Sequence, residues 1–416
     1  MRSRSIAWIV WFTASIFYAY QYILRVMPSV MLDNITQHFH IDPALYGQYS
    51  GIYYIGYSLM HLPIGIMLDR FGPKRVMSGC ILLSVIGLLP LIYADNWIYP
   101  VIGRALIGMG SSAAILGIFK IIRMTFSEQR FTRMLSLSVT IGLIGAIYGG
   151  GPLRSLYELV GYQKVVEIFA VFGALLALFT YFIVPNLKET QQTTILDDIK
   201  VVITNKRVIF LCLCAGFMVG PLEGFADVWG PVFLRQVYGL DGSLASYLPS
   251  LIFAGMCFGA PALSFFAEKI GNYLLVITIA GLVMLLNFVA LISGLFNTEL
   301  MMVAFTIIGV CCAYQILAIY KASTYVPEHV AGLTTAIANM IIMSFGYGIH
   351  TTIGIVVNAF KETNALHSFT YGISVIPCTL GIGVLGFLVL LLLEQKKLSR
   401  ISTHTQYKFD TSREAT

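Results

Sequence analysis

The sequence predicts an all-α membrane protein, with twelve transmembrane helices in two pseudo-symmetric six-helix bundles. Three observations predict it. Of 416 residues, 57% are hydrophobic and only 11% charged, against about 25% charged in a soluble domain. Apolar runs long enough to cross a bilayer, about 20 residues each, occur twelve times. The two halves of the chain also repeat one another.

The runs fall at 7–31, 46–68, 75–94, 98–124, 134–157, 163–184, 208–236, 243–266, 272–295, 299–323, 331–358 and 367–393. The first begins like a signal peptide, "MRSRSIAWIV". It outlasts an h-region and lacks a small-residue cleavage site, so it reads as an uncleaved span. Residues 186–207, "NLKETQQTTILDDIKVVITNKR", are the longest polar interruption. They divide the chain into an N-terminal bundle (1–185), a cytoplasmic linker (186–207) and a C-terminal bundle (208–394). The polar residues 395–416 read as a disordered cytoplasmic tail.

Lys and Arg set the orientation. With the N-terminus inside, inner segments hold seventeen basic residues, among them Arg2, Arg4, Arg130, Arg133, Lys206, Arg207, Lys396 and Lys397. Outer segments hold four: Arg154, Lys164, Arg235 and Lys361. The bias predicts cytoplasmic termini, and a plasma (inner) membrane location is expected.

The repeat is read by laying 41–72, "IDPALYGQYSGIYYIGYSLMHLPIGIMLDRFG", over 240–271, "LDGSLASYLPSLIFAGMCFGAPALSFFAEKIG". No gap is needed. Asp42 meets Asp241, Leu45 meets Leu244, Gly56 meets Gly255, and Gly72 meets Gly271. Asp69-Arg70 meets Glu268-Lys269 at the same depth. Shared apolarity matches aliphatics by chance, but not an acid–base–apolar–glycine ending.

Several classes are excluded. The pI of about 8.8 comes from clusters between apolar runs, not from a basic face for nucleic acid. The seven cysteines all lie in apolar segments without metal-ligand spacing. No nucleophile–base pair suggests an enzyme, and neither a metal nor a cofactor is expected.

The loop "GIMLDRFGPKRV" (65–76) resembles the signature of the major facilitator superfamily at Gly65, Asp69, Arg70, Gly72, Lys74 and Arg75. Pro73 stands where that family often has Arg. The twelve spans, central linker and repeat extend the resemblance. Gly65 allows a neighbouring helix to approach. Asp69 can accept from N–H groups at a helix start, or from a guanidinium across the bundle. The resemblance implies a gating role: such contacts form with the cytoplasmic side closed and favour the outward-facing state. Glu268 and Lys269 are their counterparts in the second half. The plain alternative is a basic loop that sets topology.

Charges inside the spans carry the functional expectation, since Arg or Lys at mid-helix costs about 2.5–3.5 kcal/mol. Tyr18, Gln21, Tyr22 and Arg25 recur at helical spacing and share one polar, aromatic face. A water-filled path rewards such a face; lipid does not. A guanidinium takes carboxylate or phosphate bidentately, and Tyr and Gln groups can complete the site. Snorkelling to outer headgroups is the competing reading. The place of Arg25, ahead of "NITQHFHIDPALYG", resembles that of the substrate-binding Arg in the organic anion–cation symporter branch. The acid usual just before that Arg is Leu24 here, and an acid often found in span 4 is replaced by Ser111.

"GRALIGMGSS" (103–112) resembles the family's span-4 pattern, which implies a role for Arg104 in coupling and packing. An interfacial cap is the alternative. Lys120 and Lys321 occupy corresponding places in spans 4 and 10 and are expected to form an inner cationic ring drawing anions through. In span 7, "GFMVGPLEGFADVWGPVFLRQ" (216–236), Glu223 and Asp227 share a face between Gly-Pro breaks. Such breaks give a discontinuous helix, as at transporter gates and binding sites. Span 7 is the repeat partner of span 1, so these acids should oppose Arg25. Burial disfavours a charged carboxyl, so either acid can carry a coupling proton. A permanent ion pair with Arg25 or Arg104 is the alternative. His350 is a third candidate carrier.

The expected function is secondary active transport, as proton-coupled uptake of a small carboxylate-bearing or anionic solute: an organic acid, amino acid, peptide or sugar acid. Alternating access would expose the substrate, held by Arg25 with Tyr18, Gln21, Tyr22, Lys120 and Lys321, to each side in turn. An exporter of drugs or metabolites and a non-transporting receptor are the alternatives. The expected partners are substrate, protons and the lipid bilayer, with the chain acting as a monomer.

Overall fold

The computed structural model describes residues 4–185, 195–362 and 364–413. Among the described residues there is no strand. Twelve helices are long and apolar enough to cross a membrane: Ile6–Val26, Pro43–Phe71, Pro73–Tyr93, Ile98–Thr125, Glu128–Gly149 and Gly151–Ile183, then Lys206–Tyr238, Gly242–Ile270, Tyr273–Ile292, Thr298–Ser323, Glu328–Ala359 and Ala365–Lys396. They are numbered here spans 1 to 12. A further helix, Pro28–Phe39, lies between spans 1 and 2, and Ile195–Ile203 precedes span 7. Twelve crossings bring the chain back to the end where it starts. That end is called proximal and the other distal.

Local chemistry sets the helix limits. Span 1 stops before Pro28, whose ring removes a backbone donor. Span 7 is broken: helix Lys206–Phe217, a π-helical stretch Gly220–Trp229, then helix Gly230–Tyr238. Pro221 and Pro231 sit at the first turn of the second and third pieces. The boundary between spans 5 and 6 falls within the expected 157–163: the stretch Gly151–Ile183 is two helices that meet at Gly161, where φ is 79°. Span 5 is interrupted earlier, at Gly150, inside a run of three glycines followed by Pro152. Residues 151–160 carry it on to the distal end, where the Tyr157 hydroxyl bonds Asn34. Helical backbone also runs on to Arg413, where the sequence reading expects disorder. Of the expected linker, 186–194 lies outside the described residues.

The repeat is visible as shared structural roles. Asp42 accepts from Leu45 N at 2.8 Å, and Asp241 accepts from Leu244 N at 3.3 Å, each capping a 29-residue helix. Those helices end at Gly72 and Gly271, with φ of 81° and 71°, a region glycine enters freely. Midway, a Cβ on Gly56 would strike Ala105 O of span 4; one on Gly255 would strike Thr306 O of span 10.

Spans 1–6 and 7–12 meet along a seam that is tight at one end only. Distally, spans 2 and 11 touch backbone to backbone: a Cβ on Gly47 would collide with His350 O, and one on Gly354 with Pro43 O. Arg235 Nη1 reaches Asp33 Oδ2 at 2.8 Å, and Asn358 Nδ2 donates to Asp42 Oδ2 at 3.1 Å. Spans 5 and 8 meet where Gly150 faces Ser246 and Ser250. Proximally the same spans part. A Cβ added at Gly65 of span 2 or Gly332 of span 11 would meet nothing within 4 Å. The close helix approach expected at Gly65 is therefore absent in this structure.

Candidate functional site

Arg25 lies at the bottom of the closed seam. It is 5% exposed and turned into protein, not toward lipid. Its Nε donates to Asp227 Oδ2 at 2.6 Å, and its Nη2 pairs with Glu223 Oε2. Both carboxylates come from the π-helical stretch of span 7. The wider π-helical winding carries the two acids, four residues apart, round to the same guanidinium. The Tyr54 hydroxyl of span 2 donates into the same pair, 2.9 Å from Glu223 Oε2 and in contact with Asp227 Oδ2. Gln315 Nε2, beside the break in span 10 at Ala313, donates to Glu223 Oε1 at 3.3 Å. Four spans, two from each half, thus converge on one ion-paired cluster.

Aromatic rings enclose the guanidinium. Its Cζ is 5.1 Å from the Tyr22 ring centroid and 5.3 Å from that of Tyr54, within cation–π range. Tyr18 packs edge-on against Tyr22, centroids 5.2 Å apart. Gln21 accepts from the Tyr53 hydroxyl at 2.8 Å. The predicted face of span 1 is therefore assembled as a unit.

Arg104 is no interfacial cap. It is 2% exposed, and its Nη1 and Nη2 donate to the carbonyls of Leu24 and Arg25 at 2.7 and 2.8 Å. The cause is in the sequence. Pro28 has no N–H for the Leu24 carbonyl four residues back, so that acceptor is orphaned at a helix end. The fork from span 4 takes it and fixes the backbone of Arg25. Its Cζ lies 4.9 Å from the Tyr53 centroid.

His350 is buried, with no hydrogen-bond partner on either ring nitrogen. It stacks on Tyr54, centroids 5.6 Å apart, so it borders the cluster without joining its hydrogen bonds. Asp227 Oδ1 and Ser111 Oγ also lack partners. Leu24 and Ser111 bring no carboxylate to the cluster; its two carboxylates come across the seam from span 7.

The two lysines are not brought to Arg25. Lys120 Nζ pairs with Asp69 Oδ1 at 2.9 Å. It lies sixteen residues beyond Arg104, about 24 Å along a helix. Lys321 Nζ pairs with Glu394 at 3.1 Å, and the Tyr325 hydroxyl donates to the same carboxylate at 2.6 Å. Each stays within its own half, so the expected cationic ring is replaced by two proximal ion pairs. Asp69 thus takes a lysine of its own half, not a guanidinium across the bundle. Arg70 and Arg75 are exposed, Lys74 lies over the Tyr181 ring at 4.5 Å, and Glu268 and Lys269 are exposed.

Tyr54 and Gln315 escaped the sequence reading. Tyr54 is one of 23 tyrosines, and only its contacts distinguish it. The available signal for Tyr54 was local spacing. Span 2 carries Tyr46, Ser50 and Tyr54 at four-residue spacing, a polar stripe on the helix that packs across the seam.

Comparisons with known proteins agree with this architecture. The family model described as Major Facilitator Superfamily matches residues 10–351. The chain is 22% identical over 271 residues to a nitrite extrusion protein of Bacillus subtilis, covering 63% of this chain and 66% of that one. It is 23% identical over 303 residues to the probable galactarate/D-glucarate transporter GudP of the same organism, covering 62% and 65%. It is 29% identical over 154 residues to probable anion transporter 7 of Oryza sativa, covering 36% and 35%. The matches thus span about two-thirds of these relatives' length or less. Among solved structures, a bacterial homologue of the human lysosomal transporter Spinster, inward-facing and unoccupied, superposes with a TM-score of 0.70 at 18% identity, covering 94% of this chain and 98% of that one. A point mutant of the nucleoside transporter NupG gives 0.74 at 16%, covering 92% and 99%. With twelve spans, a duplicated architecture and a family match over most of its length, the chain is a multi-pass integral membrane protein that belongs to the major facilitator superfamily.

Proposed function

We propose that this transporter carries a small carboxylate-bearing or anionic solute into the cell with protons. One observation carries the reading: a buried guanidinium at the junction of the two halves, whose acceptors are carboxylates of the opposite half. Arg25 binds carboxylate geometry in the resting protein, and Glu223 and Asp227 hold the places that a substrate carboxylate would take. Substrate and the span-7 acids therefore compete for one fork. A proton on either acid weakens its hold on Arg25 and favours substrate, which couples the two. Tyr22, Gln21 and Tyr18 lie on the proximal side of Arg25 along span 1 and would line the substrate's approach. The relatives named for nitrite, galactarate/D-glucarate and anions support an anionic substrate.

In this reading residues 1–185 and 208–394 rock about Arg25, joined by 186–207. The basic residues at the proximal end support a cytoplasmic position for it and for both termini, at a plasma membrane. The chain then stands inward-facing, sealed distally and open proximally. The proximal ion pairs of Asp69 with Lys120 and Glu394 with Lys321 are the groups that repartner when that end closes.

The test is a thermal-shift screen of purified protein against amino acids, short peptides and organic acids, lactate and succinate included. A bound ligand raises the melting temperature through mass action, and Arg25→Lys should abolish the shift. A shift that survives the substitution overturns the assignment of Arg25. The name of the Bacillus subtilis nitrite relative favours a second direction, export. Accumulation in cells supports uptake, and loss of resistance on deletion supports efflux.

A further inference from the structure

The four charged side chains of the buried cluster sum to zero. Arg25 and Arg104 bring two positive charges, Glu223 and Asp227 two negative, and each is 5% exposed or less. His350 adds none, since neither nitrogen has an acceptor for the proton an imidazolium must place. Tyr53 and Tyr54 donate their hydroxyl protons and are uncharged phenols, while Tyr22 and Tyr49 present rings to the guanidiniums. Among the described residues, the other buried lysine or arginine is Lys120, ion-paired with Asp69 at the proximal end.

A net charge in such a place is expensive, because little water reaches it and no further counter-ion is at hand. The empty cluster avoids this by pairing. An anion that takes the Arg25 fork brings negative charge and leaves Glu223 and Asp227 without their cation. Neutrality returns when one proton binds a carboxylate oxygen of Glu223 or Asp227 for each negative charge on the substrate. The pair can accept two protons and no more.

We infer that transport is electroneutral: a monoanion travels with one proton, a dianion with two, and the acid pair caps the cargo at two negative charges. This rests on the reading of an Arg25-bound anion given above. Each proton comes from the side to which the cluster is open, sits on a span-7 carboxylate during the conformational change, and leaves as that carboxylate reclaims Arg25. No uncompensated charge crosses the membrane in either the loaded or the empty carrier.

The experiment uses full-length protein in proteoliposomes, with labelled lactate, succinate and citrate as mono-, di- and trianion. Uptake is driven by an inward proton gradient, with and without a valinomycin diffusion potential from a tenfold potassium gradient. One uncompensated charge would change steady accumulation about tenfold under that potential. The expected result is a change of less than twofold for lactate and succinate, and no uptake of citrate as the trianion. A response near tenfold, or transport of the trianion, overturns the inference and leaves the anion reading standing. Failure to take up any of the amino acids, short peptides and organic acids of the thermal-shift screen under any gradient overturns the carboxylate reading itself. A second arm uses Glu223→Gln, whose empty cluster carries one positive charge and becomes neutral on binding lactate without a proton. Lactate exchange by this variant should lose its pH dependence, and net uptake should become potential-sensitive. Continued electroneutral, pH-driven uptake by the variant overturns the charge count. If the variant does not fold, the wild-type arm decides alone.

Discussion

Arg104, in span 4, donates through Nη1 to the backbone carbonyl of Leu24, in span 1, at 2.7 Å. Pro28 leaves that carbonyl without a helical partner. The bond therefore repairs a helix end and also holds Arg25 at the seam. Removing it by Arg104→Leu leaves two buried carbonyls unpaired, each costing about 1–3 kcal/mol. A fall in melting temperature of purified protein is expected, with Arg104→Lys falling less because an ammonium still satisfies one of them. Equal stability of wild type and Arg104→Leu would show that water replaces the fork.

Arg25→Lys should abolish uptake while the protein is still made and inserted. A point charge cannot make the two parallel bonds of a planar guanidinium. Uptake by whole cells, with membrane abundance measured alongside, checks it. Wild-type rates would remove Arg25 from the binding site.

Neutralising an acid should uncouple transport from pH. Under the proposed coupling, lowering the external pH should raise wild-type uptake, because a protonated Glu223 or Asp227 would release Arg25 to the substrate. In Glu223→Gln or Asp227→Asn that response should flatten, with substrate exchange retained. Unchanged pH dependence in both variants would place the proton carrier elsewhere, His350 being next in line.

Tyr54→Phe removes the hydroxyl shared by the two carboxylates and preserves the ring against His350 and Arg25. Loss of a hydrogen bond to a charged group is worth about 1.5–3 kcal/mol. The pH of half-maximal uptake is expected to shift while the rate at saturating substrate changes little. A fall in maximal rate with an unmoved pH profile would assign Tyr54 to packing alone.

Gly354→Val should block distal closure, because its Cβ would strike the Pro43 carbonyl where spans 2 and 11 meet. Backbone cannot yield as a flexible side chain can. Uptake should fall, and a cysteine placed in the distal seam should become more accessible to a membrane-impermeant thiol reagent. Normal uptake would mean that the seal forms without this contact.

The sequence by itself determined the class, the twelve crossings, the repeat and which charges lie inside the spans. A charge in an apolar run is rare and conspicuous, so Arg25, Arg104, Glu223 and Asp227 could be singled out, and the repeat placed span 7 opposite span 1. Only the tertiary structure decided what those charges touch. It turned Arg25 onto two carboxylates, set Arg104 on the carbonyl orphaned by Pro28 and on its neighbour, added Tyr54 and Gln315, and tied Lys120 and Lys321 to acids of their own halves. The reason is physical. Burying apolar surface is non-directional and is written in local pattern. A hydrogen bond or ion pair depends on fractions of an ångström and on direction, which residues distant in the chain acquire only once the helices have packed.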